Sequence, residues 1–211
     1  MALQKILLAF LIGFLVTLPL HDPGRESDYC LLLAKGFAGI GAERIVDRHY
    51  IFVPGVDGHE LQGKISNLPA SSRTAVKIAE YEDLSLLVVE EANPEGFGSG
   101  AIKELKAMLD QSGFSTIEVW NSEALLPGGA ASEDLFRRAF DLAGSLGGEV
   151  QNAAAYNGSV LLLAYLPQIG TKIVLEDDPV NLNLELFTDP VAGGIRVRAG
   201  IPLLLSPSLY F

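Results

Sequence analysis

One cysteine, three histidines and a shortage of positive charge set the first limits on this 211-residue chain. A lone cysteine cannot close an internal disulfide, so the fold has to be held by its apolar core, for which a hydrophobic content of 49% is ample. Fifteen Lys and Arg stand against 26 Asp and Glu, a formal net charge of -11, and no basic run interrupts the balance. Phosphate backbones and anionic lipid headgroups would repel such a chain, so nucleic acid is not an expected partner and DNA binding is disfavoured. His21, His49 and His59 are too scattered to propose a histidine triad. The stretch DGHELQG begins like the zinc-protease pattern H-E-x-x-H, but Gly63 stands where the second ligand must be, which leaves His59 as a first-turn helix residue. Ser99 follows Phe97 at the position where a nucleophile elbow needs glycine. No catalytic, cofactor-binding or metal-binding residue is therefore expected, and no cofactor.

Long apolar runs are also scarce, with one exception at the start. Lys5 precedes the uncharged stretch Ile6 to Leu20. A positive residue followed by about fifteen apolar ones is the pattern of a secretion signal. No small-x-small cleavage site is present, because no alanine lies between Ala9 and Ala34. Residues 1–20 are thus expected to be a signal peptide or an N-terminal membrane anchor, with contact to a membrane only through that segment, and the protein is expected to be extracytoplasmic. Cys30 falls with Leu33, Phe37 and Ile40 on one face of a helix beginning near Ser27, where it reads as a small buried hydrophobe. Ser27, Asp28 and Tyr29 before it are wrong for a lipid-attachment site.

What remains reads as one α+β domain, residues 27–211, built from a unit used twice. Asp57 and Glu60 form a capping-box pattern for a short helix at 58–67, with Leu61, Ile65 and Leu68 at helical spacing. Strands are expected at 74–80 and 84–91 around the turn Tyr81 to Asp83. Later, Ser132 can cap a helix whose stripe is Leu135, Phe136, Ala139, Phe140, Ala143 and Leu146, stopped at Gly147-Gly148. Strands at 149–156 and 159–166 then flank Asn157-Gly158, the strongest hairpin signal in the chain. A shift of 75 positions lays "AEYEDLSLLV" from Ala79 on "AAYNGSVLLL" from Ala154, pairing Ala79/Ala154, Tyr81/Tyr156, Leu86/Leu161 and Leu87/Leu162. The same shift carries the first capped helix onto the second and the strand 44–53 towards 116–120. This predicts duplicated β-α-β-β units, with halves at about 42–98 and 114–211. Between them runs a Gly-rich loop and a linking helix at about 99–112, with Ile102, Leu105 and Leu109 on one face and Gly113 as its stop.

After a short strand at 171–175 comes a long hairpin, VNLNLELFTDPVAGGIRVRAGIP. Val180, Leu182, Leu184 and Leu186 point one way and Asn181, Asn183, Glu185 and Phe187 the other; Ile195, Val197 and Ala199 likewise oppose Arg196 and Arg198. Asn181, Asn183, Glu185, Arg196 and Arg198 therefore mark a candidate interaction face. The sheet has a wet side and a dry side that helices must cover, which makes it mostly antiparallel.

A duplicated, curved antiparallel sheet with helices on one face resembles the TATA-box-binding-protein fold. The ending, with Asn181-Leu182-Asn183, Gly193-Gly194, Gly200-Ile201-Pro202 and Tyr210, resembles that of the YwmB-type family of exported Gram-positive bacterial proteins, over about 30 residues. "LLLSPSLY" is more apolar than the hydroxyl-rich ending expected of that family. The resemblance implies an exported protein of this fold and supplies no catalytic residues. The expected function is a non-enzymatic binding or interaction module of the cell envelope, its partner an envelope protein or an extended ligand. The alternative is a cell-wall-related hydrolase in which Asp47, Glu118, Glu185 and Asp189, distant in sequence, converge. The turn carboxylates Glu176, Asp177 and Asp178 read as a solvated loop, since they lack the oxygen count of a calcium site.

Overall fold

Twelve residues from Glu43 to Pro54 form β1, and their run of Tyr50, Ile51, Phe52 and Val53 is buried on both faces, the mark of a strand in the middle of a sheet. A computed structural model describes residues 26–66, 74–81, 84–92, 100–128, 132–175 and 177–205. The expected signal or anchor at 1–20, the Gly-rich loop before residue 100, Glu176 and Tyr210 lie outside the described residues. Among the described residues no helix is long and apolar enough to cross a membrane.

In chain order the elements are α1 (Glu26–Gly39), β1, α2 (Gly58–Ile65), β2 (Thr74–Tyr81), β3 (Leu84–Ala92), α3 (Gly100–Gln111), β4 (Ile117–Pro127), α4 (Ser132–Ser145), β5 (Glu149–Tyr156), β6 (Ser159–Tyr165), β7 (Ile173–Leu175), β8 (Asp178–Val180), β9 (Leu182–Asp189) and β10 (Gly194–Ile201). Eight strands make one antiparallel sheet in the order β2-β3-β1-β4-β10-β9-β6-β5, and β7 pairs with β8 alone. The protein is α+β, as expected.

All the described helices contribute to one cluster on one side of the sheet. Leu33 and Phe37 of α1, Leu61 and Ile65 of α2, Leu105 and Leu109 of α3 and Leu135, Ala139 and Leu142 of α4 pack with Ile51, Val53, Leu87, Val89, Leu126, Leu162, Leu184, Leu186 and Val197 from the strands. We call this the covered face. Cys30 lies in α1, but its side chain is outside the described set. Phe140 departs from the predicted stripe of α4: it is 46% exposed, because the helical turn of about 100° per residue places it at the outer edge of the stripe, farthest from Leu135. Asp57 caps α2 by accepting from the amide of His59 at 2.7 Å, two residues on, where a capping box would engage the third. His59 is an exposed first-turn residue.

The shift of 75 positions carries β2 onto β5 residue for residue and β3, α2 and β1 onto β6, α4 and β4 within a few residues. Pairing then breaks the symmetry. In the first unit β3 pairs directly with β1. In the second, the β9–β10 hairpin sits between β6 and β4, the equivalent strands. Inserting two antiparallel strands restores the original direction, so the alternation along the sheet survives the insertion.

Strand β4 is longer than its sequence suggests. Asn121, Ser122 and Glu123 break the apolar alternation and so predict an end at Trp120, yet all three are buried in the middle of the strand. The other departure is Asn181. It lies between β8 and β9, is fully buried, donates to the carbonyls of Leu166 (2.9 Å) and Ile169 (3.2 Å) and accepts from the amide of Leu166 (2.7 Å). Its carboxamide ties down the 166–169 turn, so the long hairpin begins at Leu182 and Asn181 does not belong to the wet face.

Candidate functional site

The face of the sheet away from the helices is here called the open face. Cross-strand partners share a face, so the register of β3, β1, β4, β10, β9, β6 and β5 can be read straight across it. Glu90 lies opposite Arg48, Glu123 opposite Arg198, Arg198 opposite Glu185, Glu185 opposite Leu161 and Leu161 opposite Ala154. On β4 the direct partner of Arg48 is Asn121 and Glu123 stands two residues along, diagonal to Arg48, so the row steps once there as it runs acid, base, acid, base, acid and then turns apolar.

Glu123 is the hub of the charged part. Its oxygens meet Arg48 Nη1 at 2.5 Å, Arg196 Nη1 at 3.2 Å and Arg198 Nε at 3.5 Å. Each arginine has a second acid: Arg48 Nε reaches Glu90 at 2.7 Å, Arg198 Nη1 reaches Glu185 at 2.6 Å, and Arg196 Nη2 reaches Asp189 at 2.5 Å. Burial works against the Arg48 guanidinium, but its bonds to Glu90 and Glu123 outweigh that and hold its pKa above the usual value. The bond to Asp189, assisted by Glu123, does the same for Arg196. Asp189 is held below the ordinary carboxylate range, first by the amide of Ala192 and then by Arg196. Its Oδ1 also accepts from the amide of Val191, both amide bonds being 3.0 Å long, and this fixes the β9–β10 turn. Three guanidinium groups and four carboxylates thus neutralise one another nearly completely. Such a network orients the strands and leaves no unpaired base or nucleophile among its members.

One end of the open face is covered. After Ile201, whose bond to Pro202 is cis, the chain turns back over β10. Gly200 permits this, because a Cβ there would lie 2.2 Å from the carbonyl oxygen of Leu203. Asn183 donates to the carbonyl of Pro202 (2.7 Å), and Asn121 (2.9 Å) and Arg198 (3.2 Å) donate to that of Leu205. Leu205 is thereby buried with Tyr50, Phe52, Leu84, Leu86, Val88 and Val119. Among the described residues nothing covers the opposite end, on β5, β6 and β9, here called the bare end: Tyr156 is 67% exposed and Leu161 40%, while Leu163 and Phe187 beside them are half-buried.

Of the five residues expected to form an interaction face, Asn183, Glu185, Arg196 and Arg198 share the open face and Asn181 does not. Asn183 and Arg198 are engaged with the chain's own C-terminal segment, and Arg196 and Glu185 form the rim of the bare patch. Glu123, the residue that organises them, escaped sequence reasoning. An acid inside an otherwise strand-like run was the available signal.

A second polar cluster lies on the covered face. His49 stacks on Trp120, with centroids 3.7 Å apart and planes at 15°, and its Nε2 bonds Glu118 at 2.7 Å. Lys106 of α3 reaches Glu118 at 3.1 Å. Burial alone would raise the Glu118 pKa; the bond and charge of His49 and the charge of Lys106 overcome it and bring it down to about 2. Nearby, Asp47 binds Arg44 and Ser122. A carboxylate–histidine pair has the shape of a general base, but the His49 side chain is wholly inaccessible to solvent. The four distant carboxylates do not converge. Asp47 and Glu118 are on the covered face, Glu185 and Asp189 on the open one, and each is matched by its own cation. No group of three metal-ligating side chains occurs among the described residues.

No protein-family model and no curated protein matches the sequence. Among solved structures the fold has a distant likeness, TM-score 0.25 at 12% identity, to the regulatory subunit of aspartate kinase from Thermus thermophilus in its ligand-free form, over 76% of this chain and 83% of that one.

Proposed function

We propose that the protein is a non-enzymatic binding module of the cell envelope, of the YwmB type, and that it works through the bare end of its open face. The observation that carries this is the patch of Tyr156, Leu161, Leu163 and Phe187 beside the saturated ion-pair rim of Glu185 and Arg196. An apolar centre with a satisfied polar border is how protein-binding surfaces are built, with aromatic side chains as anchors. The partner that suits it is another envelope protein presenting an extended apolar segment, which the exposed side chains of the sheet face can hold by contact. The apolar start of the chain, Ile6 to Leu20, supports the extracytoplasmic address.

A photo-crosslinking amino acid in place of Leu161, in cells making the full chain, tests both parts. A discrete adduct with an envelope protein is expected from position 161 and none from position 86, the covered equivalent. Equal or absent adducts at the two positions would sink the reading. Protease added outside protoplasts should degrade the protein; full protection would sink the extracytoplasmic address.

A further inference from the structure

We propose that β5 pairs with β5 of a second copy of the chain, antiparallel and centred on Ala154, so that two eight-stranded sheets become one. The reasoning starts from the turn. Asn157 and Gly158 have φ of 49° and 82°, the two left-handed residues of a type I′ hairpin, and Tyr156 pairs with Ser159 across it. The pair that closes a two-residue hairpin exchanges both of its hydrogen bonds, and bonding then alternates along the ladder. Tyr156, Ala154 and Asn152 therefore turn their backbone groups inward to β6, opposite Ser159, Leu161 and Leu163. Ala155 and Ala153 turn theirs outward, at the end of the sheet, where no further strand stands among the described residues.

Those two outward residues flank Ala154 symmetrically. A two-fold axis through Ala154 sets Ala153 of one copy against Ala155 of the other, twice, and all the outward groups of both residues are then satisfied. The same axis sets Ala154 against itself in the closer, non-bonded kind of pair, where a small side chain fits best. It sets Asn152 against Tyr156, whose exposed ring continues the bare patch across the junction.

Charge favours the same partner. In a chain of net charge -11, copies repel each other over most of the surface, but Val150 to Tyr156 carries no charge and Glu149 lies at the far end of the strand. Exposed edge strands are commonly blocked by lysine, proline or inward-facing charge, and residues 152–156, exposed except for half-buried Ala153, have none of these. The pairing uses the edge of the sheet, whereas the binding reading above uses its face, so each can fail without the other.

Sedimentation of the purified full chain over a range of concentrations tests the pairing. A reversible monomer–dimer equilibrium is expected. Ala154→Lys opposes two like charges on the axis, and Ala155→Pro removes two of the new hydrogen bonds; each should weaken dimerisation at least about tenfold while leaving the melting temperature of the monomer unchanged. Ala154→Cys adds a register-specific readout, because the non-bonded pair brings Cα atoms to about 4.5 Å, within disulfide range. Mild oxidation should give a covalent dimer from Ala154→Cys well above the wild-type background due to Cys30, and not from Ala155→Cys. A wild type that stays monomeric, a dimer that survives both Ala154→Lys and Ala155→Pro, or equal cross-linking at 154 and 155 would each overturn the proposal. Retained cross-linking of position 161 to another protein in the monomeric Ala155→Pro variant, which leaves the open-face side chains in place, would leave the binding reading standing.

Discussion

Leu86 and Leu161 occupy equivalent places in two copies of one pattern, on the same face of the same sheet, yet Leu86 is fully buried and Leu161 is 40% exposed. Their neighbours one residue on, Leu87 and Leu162, are both buried under the helices. The two units therefore match on the covered face and differ on the open one. The cause is visible in the register. The inner partner of Leu86 is Phe52 on β1, whereas that of Leu161 is Glu185, because the β9–β10 hairpin separates β6 from β4. Leu203 and Leu205 then cover the first unit's end of the open face and leave the second's bare. Identical residues acquire a packing role in one copy and a surface role in the other through topology alone.

Several substitutions break or sharpen this contrast. The largest loss is expected from Glu123→Ala, which leaves three arginines at the boundary between the two ends without their shared counter-ion. Urea unfolding should show about 3 kcal/mol or more of destabilisation, the scale for removing one member of a buried charge cluster. Leu205→Ala should cost about 2–4 kcal/mol as a core truncation, and it should also increase binding of an apolar dye, since Tyr50 and Phe52 lose their cover. Acid should weaken the seam between the units. Glu118 has a folded pKa of about 2 against an ordinary 4.5, so the stability it contributes is complete above 4.5 and is lost as pH falls from there towards 2. Glu118→Gln should abolish that step in unfolding curves recorded from pH 5 down to 2.5. Glu90→Gln, on the accessible rim of the ion-pair row, should change stability by less than about 1 kcal/mol.

Much of the fold was legible because local chemistry and tertiary structure agree. Asn157-Gly158 forced its turn, Asp189 held the loop to Gly194 through its own side chain, and the alternation of β9 and β10 gave the correct faces for Leu184, Leu186, Val197, Arg196 and Arg198. The offset of 75 positions predicted element order. What could not be read was whatever depends on distant partners. Buried Asn121, Ser122 and Glu123 look like the end of a strand until Leu205, Asp47 and the three arginines are brought to them. Asn181 fits the alternation in sequence and leaves it in space, because the 166–169 backbone competes for its amide. The hairpin inserted between β6 and β4 leaves no local trace, so neither the burial of Leu86 nor the exposure of Leu161 could be foreseen.

Truncating the two equivalent leucines and comparing their unfolding free energies tests the contrast most directly. Leu86→Ala should cost about 2–5 kcal/mol and Leu161→Ala less than about 1 kcal/mol, measured on monomer at low concentration. Equal losses at the two positions would mean that the second unit's open face is packed against something in the folded chain, and the bare surface on which the proposed function rests would not exist.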